Sequence, residues 1–263
     1  MTGTNSDDYP RLAAEARRLA LEAGCAIMAF YRAGTAVETK QDRSPITEAD
    51  RAADRIIVAG LRAADPGIPV ISEESTGDRT LKAPAGGFFW LVDPLDGTRE
   101  FVAGTGEFTV NIALIEAGRP VLGVLHAPVQ DETYVADGQG GAVRFVGNEP
   151  PQAVHARPVP EANPAVIASR SHMDAETDAY IAELRPSRIA NAGSALKFGL
   201  LARGEADLYP RFGRTMEWDT AAGQAVLEAA GGHVRDLSGR ALRYGKAGFV
   251  NPPFVACGAD RRR

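Results

Sequence analysis

The sequence contains only two cysteines in 263 residues, Cys25 and Cys257. They are far apart and fall in no spacing typical of a zinc site, which disfavours both a cysteine-held metal and a disulfide-stapled scaffold. Cys25 lies within an apolar pattern of helical period, and this pattern predicts a buried free thiol. The chemistry of the chain therefore has to come from other residue types.

Long hydrophobic runs and an excess of basic charge are also missing. Residues 1–8 are polar and acidic, without the basic segment and apolar run of a signal peptide. No stretch approaches the length of a membrane span. The formal net charge of −5 argues against nucleic-acid binding and against general attraction to anionic membranes. We expect a cytoplasmic protein without an integral membrane segment; peripheral association with the inner membrane stays open, as does the choice between monomer and homodimer.

Alternating helix-like and strand-like segments indicate a mixed α/β (α+β) protein built in layers. The spacing of apolar residues predicts helices over 10–32, 47–61, 174–184, 194–203 and 219–230. Strand-like runs occupy 68–72, 88–92, 108–115, 121–127, 133–136, 142–146, 165–168, 206–209 and 247–256. Residues 35–46 are polar and indicate a loop or a short hairpin.

The length suits one large domain or two closely packed halves. Prolines cluster between residues 148 and 164, where the composition shifts. We therefore expect a boundary in that stretch, with an N-terminal α+β half over 1–160 and a C-terminal α/β half over 161–263.

The most informative stretch runs from Trp90 to Thr98. A strand-like apolar run ends there in two carboxylates, Asp93 and Asp96, with Pro94 between them. Proline has no N–H, so we expect the strand to stop and the chain to turn at this point. An unpaired buried carboxylate is very costly. A turn that gathers two carboxylates and a main-chain carbonyl would instead form an all-oxygen site for a cation such as Mg²⁺.

The next two residues, Gly97 and Thr98, add backbone N–H groups and a hydroxyl. A metal bound by oxygen beside such groups is the outline of a phosphate-handling site. The simpler interpretation is a plain turn of the Pro-Asp-Gly kind, but it does not account for Asp93.

Other acids recur at strand ends and helix starts, and each has an ordinary explanation when taken alone. Glu73 and Glu74 would be a solvated loop edge. Asp50 would be an acid in the first turn of a helix. Asp219 opens a helix and would cap it. If each acid is explained separately, it is a coincidence that so many of them stand at strand ends and helix starts in the same chain as the Asp93 stretch.

Four segments, in this order along the chain, resemble signatures of the inositol monophosphatase-like superfamily of lithium-sensitive, Mg²⁺-dependent phosphatases. They are Asp50, Glu73-Glu74, Asp93-Pro94-Leu95-Asp96-Gly97-Thr98 and Trp218-Asp219-Thr220-Ala221-Ala222-Gly223. Within the superfamily, residues 106–112, 169–172, 193–198 and 208–213 are similar to the CysQ-type 3′(2′),5′-bisphosphate nucleotidases. The resemblance implies the superfamily's layered αβαβα sandwich.

The resemblance also implies ligands for two Mg²⁺ ions that share Asp93. The number of ions stays open, with a third, weakly held Mg²⁺ near Asp50 and Glu73 as the alternative. The implied ligands are Glu73, Asp93, the main-chain carbonyl of Leu95, Asp96 and Asp219. Two ions a few ångströms apart can stabilise both the attacking and the leaving oxygen of an in-line displacement.

Catalytic roles follow from the same resemblance. Thr98, hydrogen-bonded to Asp50, would orient and deprotonate a water, since a threonine hydroxyl alone is a poor base. Glu74 would steer a ligand or a water. The N–H groups of Gly97 and Thr98 would receive the scissile phosphate, which the metal-site residues would also contact.

The C-terminal half would supply the substrate pocket. The residues that the resemblance assigns to it are Ser169, Arg170, Ser171, His172, Ser194, Lys197 and Arg211. A basic residue taken alone is most often an ordinary surface charge, and a lone histidine is more often a cap or a core residue. Their co-occurrence in the nucleotidase-like segments favours contacts with a second phosphate.

Mg²⁺-dependent hydrolysis of the 3′-phosphate of adenosine 3′,5′-bisphosphate is therefore the expected activity, recycling a by-product of sulfate assimilation. The alternative within the same chemistry is a phosphatase for inositol or fructose phosphates. A third alternative, from another class, is a non-catalytic module that binds phosphate or metal. It is disfavoured because a module without activity has no need of the complete set Asp50, Glu73, Asp93, Asp96, Thr98 and Asp219.

Overall fold

The computed structural model describes residues 5–33, 37–39, 45–77, 83–84 and 87–260. Its helices are α1 (Tyr9–Ala33), α2 (Glu48–Ala64), α3 (Thr98–Val102), α4 (Ala175–Leu184), α5 (Leu196–Ala202) and α6 (Ala221–Ala229), with 3₁₀ helices at Ser6–Asp8, Glu73–Gly77 and Ala247–Phe249. Its strands are β1 (Val37–Thr39), β2 (Pro45–Thr47), β3 (Val70–Ser72), β4 (Phe88–Asp96), β5 (Thr109–Glu116), β6 (Arg119–Ala127), β7 (Glu132–Ala136), β8 (Ala142–Val146), β9 (Gln152–Val154), β10 (Ala165–Ser169), β11 (Arg188–Ala192), β12 (Leu208–Arg211), β13 (His233–Asp236) and β14 (Phe254–Cys257). In this part of the chain no helix is long and apolar enough to cross a membrane.

A seven-stranded sheet in the order β3-β4-β5-β6-β7-β8-β9 is formed by residues 70–154. β3 runs parallel to β4, and the other neighbouring pairs are antiparallel. Side chains alternate between the two faces of a strand. On β4, Trp90 and Val92 belong to the core shared with α1 and α2, whereas Phe89 and Leu91 belong to the core shared with α5 and α6. Burial on both faces explains the continuous apolar run of this strand.

A second, five-stranded sheet has the order β11-β10-β12-β14-β13. On β10, Ile167 joins the core that contains α5 and α6, while Val166 and Ala168 pack with Ile181 of α4. The layers are therefore the α1/α2 pair, the first sheet, the α5/α6 pair, the second sheet and α4. The predicted αβαβα sandwich of a mixed α/β protein is confirmed.

The predicted boundary region holds the change from one sheet to the other. β9 ends at Val154 and β10 begins at Ala165. Side chains from both sheets share one apolar cluster with α5 and α6. The division into halves at residues 160 and 161 stays a prediction.

Several expectations about single elements are wrong. Cys25 is exposed, because it lies on the outer face of α1 while Ala23 and Ile27 form the buried stripe. The strand expected over 247–256 is a 3₁₀ turn followed by β14, and three strands, β9, β11 and β13, were not predicted. β1 and β2 pair antiparallel, as a short hairpin would, and residues 40–44 between them lie outside the described residues.

Candidate metal and phosphate site

β4 continues through Pro94, so the turn predicted there is wrong. Asp93 pairs with Asn111 on β5 and Asp96 pairs with Thr109, which gives β4 one more residue than β5 across this interval. The irregularity is a β-bulge, a place where a sheet tolerates proline. Carboxylates three residues apart on a regular strand would point to opposite faces. The extra residue lets Asp93 and Asp96 line one cavity.

Five carboxylates line this cavity, which has a volume of about 230 Å³: Glu73, Asp93, Asp96, Glu100 and Asp219. Burial, and then the charges of Glu73, Asp96 and Asp219, raise the pKa of Asp93 well above its ordinary value. Burial, and then the charges of Asp96 and Glu73, raise the pKa of Asp219. Burial also raises the pKa of Asp96, to about 6, although the charge of Lys197 opposes the shift. So many buried like charges need a positive counter-charge.

The donor chemistry of this cluster fits Mg²⁺, which prefers oxygen ligands and negative charge. The main chain of Leu95 lies beside the carboxylates: its N–H donates to Asp93 Oδ1 (3.1 Å) and its carbonyl accepts from Thr98 Oγ1 (3.3 Å). Asp50 is 1% exposed, and its charge acts on Asp93. Within the described residues no three Asp, Glu, His or Cys side chains already form a closed ligand set.

Gly97 occupies the left-handed region, with φ 91° and ψ 40°, directly before α3. A Cβ at this position would lie 3.0 Å from the carbonyl oxygen of Glu107 and 3.2 Å from the Cβ of Ser194. Only glycine meets both the conformation and the close approach at no cost. The backbone from Gly97 to Thr98 is therefore held against a loop from the second half of the chain.

That loop and the first residues of α5, together residues 193–197, are tied to the carboxylate cluster. Ala195 N donates to Asp96 Oδ2 (2.5 Å), and Gly193 N donates to Glu107 Oε2 (2.7 Å). Lys197, which is 3% exposed, donates from Nζ to the carbonyls of Ala192 (3.2 Å) and Ser194 (2.5 Å). Burial lowers the pKa of Lys197 to about 8, with the nearby Asp96 charge opposing the shift.

Arg211 on β12 is a second buried cation of the cavity, at 7% exposure. Its terminal nitrogens donate to the main-chain carbonyls of His172 and Arg214. Desolvation, and then the charge of Arg211, lower the pKa of the His172 ring, which also lines the cavity. Arg211 thus connects the two loops that carry His172 and Arg214.

Arg170 and Ser171 are engaged elsewhere. Arg170 forms a bidentate pair with Glu107 (Nε–Oε2 2.7 Å and Nη2–Oε1 2.7 Å) and donates to the carbonyl of Asn191 (3.0 Å). Ser171 Oγ donates to the buried Glu100 (2.5 Å). Neither residue belongs to the lining of the cavity, and the same holds for Asp50 and Glu74.

The cavity brings together most of the predicted site residues from both halves of the chain. Those that line it are Glu73, Asp93, Leu95, Asp96, Gly97, Thr98, Ser169, His172, Ser194, Lys197, Arg211 and Asp219. Lining residues that the sequence did not indicate are Arg99, Glu100, Phe198, Tyr209, Arg214, Thr215 and Thr220. Three of these, Arg99, Phe198 and Thr220, directly follow a predicted residue in the chain, and that position is the signal that could have indicated them.

Residues 8–259 match the inositol monophosphatase family. The chain belongs to this family. The 3′(2′),5′-bisphosphate nucleotidase CysQ of Salmonella typhimurium is 47% identical over 241 residues, which are 90% of this chain and 96% of that protein. The CysQ protein of Escherichia coli K12 is 47% identical over 242 residues, again 90% and 96% of the two chains.

Solved structures place the fold in the same family. CysQ from Bacteroides thetaiotaomicron superposes with a TM-score of 0.80 at 38% identity, covering 96% of this chain and 98% of that one. An inositol monophosphatase from Zymomonas mobilis superposes with a TM-score of 0.78 at 30% identity, covering 97% and 94%.

The segment that carries the family's second signature is held by a buried polar network. Asp219 does not cap α6, whose N-cap is Thr220; its carboxylate accepts from Met216 N (2.8 Å). Asn251 donates from Nδ2 to the carbonyl of Met216 (2.8 Å) and to Thr220 Oγ1 (2.9 Å). The buried Glu217 accepts from Gly245 N (2.6 Å), so the chain before α6 is fixed on both sides of Asp219.

The raised pKa values of the cluster predict an unusual pH dependence for the metal-free protein. Asp93, Asp96 and Asp219 bind protons more tightly when folded than when unfolded. Stability from these groups is therefore lost as pH rises from about 4, through about 6 for Asp96. Thermal unfolding with a chelator and with saturating Mg²⁺ would measure it, and we expect Mg²⁺ to raise the Tm more at pH 7 than at pH 5. An equal Tm gain at both pH values would contradict the prediction, because all other titrations are common to both conditions.

Replacement of Gly97 by alanine should damage both the fold and the activity. The left-handed backbone and the 3.0 Å approach to Glu107 O both penalise a Cβ, and we expect a loss of about 1–3 kcal/mol in unfolding free energy. Phosphate release should fall by about 10²-fold, because the backbone N–H groups that are expected to receive the phosphate are displaced. The matched control is Gly104→Ala, where φ is +72° but no atom lies within 4 Å of the added Cβ. Equal activity losses in the two variants would contradict a role of this turn in positioning phosphate.

Proposed function

We propose that this protein hydrolyses the 3′-phosphate of adenosine 3′,5′-bisphosphate to AMP and phosphate, as a metal-dependent 3′(2′),5′-bisphosphate nucleotidase. The observation that carries the proposal is a single cavity lined by both a carboxylate cluster and the buried cations Lys197 and Arg211. The similarity to named nucleotidases over 90% of the chain supports the same substrate class. A substrate with two phosphates needs positive charge in two places. Metal ions held by the carboxylates would supply it at one phosphate, and the buried cations would supply it near the other.

Phosphatases of this family depend on a metal, generally Mg²⁺. We propose that Glu73, Asp93, the Leu95 carbonyl, Asp96 and Asp219 hold two ions. Bound Mg²⁺ would supply positive charge to the oxygens that are exchanged at phosphorus. The number of ions, and a third near Asp50, belong to the proposal.

The chain's own residues orient the reactants. The N–H groups at Gly97 and Thr98 would hold the scissile phosphate oxygens, since Gly97 is the N-cap position of α3. Thr98, with Asp50 as its partner, would take a proton from the attacking water, and Glu74 would steer a ligand or water nearby. In the structure the Thr98 hydroxyl donates to the Leu95 carbonyl (3.3 Å), which keeps it beside the carboxylate cluster.

The second half would bind the rest of the substrate. Ser169, Ser194 and His172 line the cavity and would contact the nucleotide, with Lys197 and Arg211 as its buried cations. Arg170 and Ser171 would act through the loops that they hold. We place the activity in the cytoplasm, as a monomer or a homodimer.

The test is phosphate release with Mg²⁺ from adenosine 3′,5′-bisphosphate, inositol 1-phosphate and fructose 1,6-bisphosphate. We expect a kcat/KM for the nucleotide at least about 10-fold above that for inositol 1-phosphate, because one additional charged contact has about that effect. It should also exceed the value for fructose 1,6-bisphosphate, since the relatives at 47% identity are named as nucleotidases. Equal or higher values for the sugar phosphates would assign the protein to the broader phosphatase class. If phosphate is released from none of the three, the protein would be assigned to the third alternative, a non-catalytic module that binds phosphate or metal.

A further inference from the structure

Glu107 connects the two halves of the chain beside the cavity without belonging to its lining. Its Oε1 accepts from Nη2 of Arg170, and its Oε2 accepts from both Nε of Arg170 and the main-chain N–H of Gly193, each at 2.7 Å. The hydrogen bonds from Arg170 hold the pKa of Glu107 below its ordinary value. The carboxylate is therefore ionised at neutral pH, and both of its oxygens are bound to the second half of the chain.

The main chain of Glu107 lies between two glycines of the site. A Cβ on Gly193 would lie 2.6 Å from the carbonyl oxygen of Glu107, and a Cβ on Gly97 would lie 3.0 Å from the same atom. Gly97 is the N-cap of α3, where the scissile phosphate is expected. Only glycine allows this close approach of three backbone segments. The position of Glu107 therefore sets how closely the two glycine turns approach each other.

The residue after Gly193, Ser194, has a left-handed backbone with φ 48°. This conformation is disfavoured for a residue with a Cβ, and it persists where the surroundings hold it in place. On one side of Ser194, the N–H of Gly193 donates to Glu107. On the other side, the N–H of Ala195 donates to Asp96 Oδ2 (2.5 Å). The turn formed by residues 193–195 thus joins Glu107 to a proposed metal ligand.

The hydrogen bonds that the described residues make with the Asp96 side chain all fall on one oxygen. Ala195 N (2.5 Å) and Asn111 Nδ2 (3.3 Å) both donate to Oδ2, and none of the described groups donates to Oδ1. The carboxylate is oriented with one oxygen held by the protein and the other available to an ion. Hydrogen bonds behind a ligand orient it and change the affinity for the metal.

We propose that Glu107 and Arg170 are a positioning pair for the metal site, which holds the turn at Ser194 so that Ala195 fixes Asp96 in the orientation that binds Mg²⁺. This proposal rests on the proposed function, with Asp96 as a metal ligand. Neither side chain of the pair lines the cavity. The role of Arg170 is to fix the direction of the Glu107 carboxylate through two parallel N–H···O bonds.

The experiment measures Mg²⁺ binding to the substrate-free protein from the gain in Tm with Mg²⁺ concentration. Glu107→Ala removes the acceptor of Gly193 N and the partner of Arg170, and the Kd for Mg²⁺ should rise about 10-fold or more. Glu107→Gln keeps an acceptor for Gly193 N, so its Kd should lie between those of the wild type and Glu107→Ala. If Glu107→Ala does not fold, Glu107→Gln and Arg170→Gln decide, since each should raise the Kd.

Two further readouts separate positioning from contact with the substrate. The double variant Glu107→Ala/Arg170→Gln should bind Mg²⁺ no more weakly than Glu107→Ala alone, because both side chains act through one contact. At saturating Mg²⁺, the KM for adenosine 3′,5′-bisphosphate should change less than about twofold in either single variant. A higher KM with an unchanged Mg²⁺ affinity in Arg170→Gln would make this arginine a substrate contact and overturn the proposal.

Arg157→Gln is the matched control. Arg157 is 45% exposed and Arg170 is 44% exposed, and each forms a bidentate pair with a carboxylate that also accepts a main-chain N–H. For Arg157 these partners are Asp207 and the N–H of Ala165 (2.6 Å), away from the cavity lining. Arg157→Gln should lower the Tm but leave the Kd for Mg²⁺ unchanged. An equal rise of the Kd in both arginine variants, or no rise in the variants of Glu107, would reject the positioning pair.

Failure of the proposed function gives a different result. The Mg²⁺ titration contains no substrate, so a wild-type protein that binds Mg²⁺ but releases no phosphate from the nucleotide would reject the nucleotidase activity alone. The order of Kd values among the variants would then still decide the role of Glu107. A wild-type Tm that does not respond to Mg²⁺ would reject both the metal ligands and the positioning pair.

Discussion

Asp93→Asn is expected to lower phosphate release by about 10²- to 10³-fold while raising the Tm of the metal-free protein. The loss of activity follows because Asp93 is the proposed shared ligand, and metal charge stabilisation amounts to several kcal/mol. The gain in stability follows because the carboxylate is 1% exposed among Glu73, Asp96 and Asp219, whose charges raise its pKa. Removing its charge relieves repulsion that no cation offsets. Steady-state kinetics with Mg²⁺ and thermal unfolding with a chelator measure the two effects.

The control for this variant is Asp236→Asn, at the end of β13 and outside the lining of the cavity. Asp236 accepts hydrogen bonds from Ser238 and Arg240, which lower its pKa to about 2. The same chemical change should therefore reduce the Tm there and leave phosphate release unchanged. An Asp93→Asn protein that keeps full turnover would reject the metal assignment, and one with a lower Tm in chelator would reject the like-charge cluster.

Glu217→Ala is expected to lower the free energy of unfolding by about 3–5 kcal/mol, the range for a buried ion pair that loses one partner. Glu217 is fully buried and accepts from Gly245 N (2.6 Å), Lys246 N (2.9 Å) and Lys246 Nζ (2.6 Å). Without the carboxylate, the N–H groups of Gly245 and Lys246 lose their acceptor. The Lys246 ammonium loses its ion pair and keeps only its hydrogen bonds to the Arg243 carbonyl and Asn251 Oδ1. Since Asp219 lies two residues further on, activity should fall as well. Chemical denaturation measures the stability.

Glu205→Ala is the comparison for that experiment. Glu205 is 53% exposed in its ion pair with Arg203, so its loss should cost less than about 1 kcal/mol. A similar small change in Glu217→Ala would show that solvent or another donor replaces the buried carboxylate.

The buried layers of the fold could be predicted because periodicity records burial. β4 is apolar on both faces and α1 has a clear apolar stripe, and both lie where the sequence indicates. The strands that were missed are polar or half exposed: β11 and β13 are the edge strands of the second sheet. An edge strand needs fewer apolar side chains, so it leaves no alternation to detect. Cys25 was misplaced because a helical pattern marks a helix more reliably than the angular position of one small residue.

The carboxylates that line the cavity could be predicted from residue types at strand ends and helix starts together with the family resemblance, but the contacts of the basic residues could not. The pairing of Arg170 with Glu107 spans 63 positions in the sequence. Nothing near either residue signals it. In the same way, Arg99 and Arg214 are ordinary arginines in the sequence, and only the fold places both on one cavity.

The bulge at Pro94 makes chain length, and not only residue identity, a condition for the site. Inserting one residue into β5 between Thr109 and Asn111 would restore regular pairing, and Asp93 and Asp96, three residues apart, would then point to opposite faces of the sheet. Insertions between Asp93 and Asp96 would separate the two carboxylates along β4. Among active relatives, this interval should therefore align without gaps, whereas turns such as Gly138–Gly141, where Cβ atoms at Gly140 and Gly141 would meet no neighbour, should collect the differences in length.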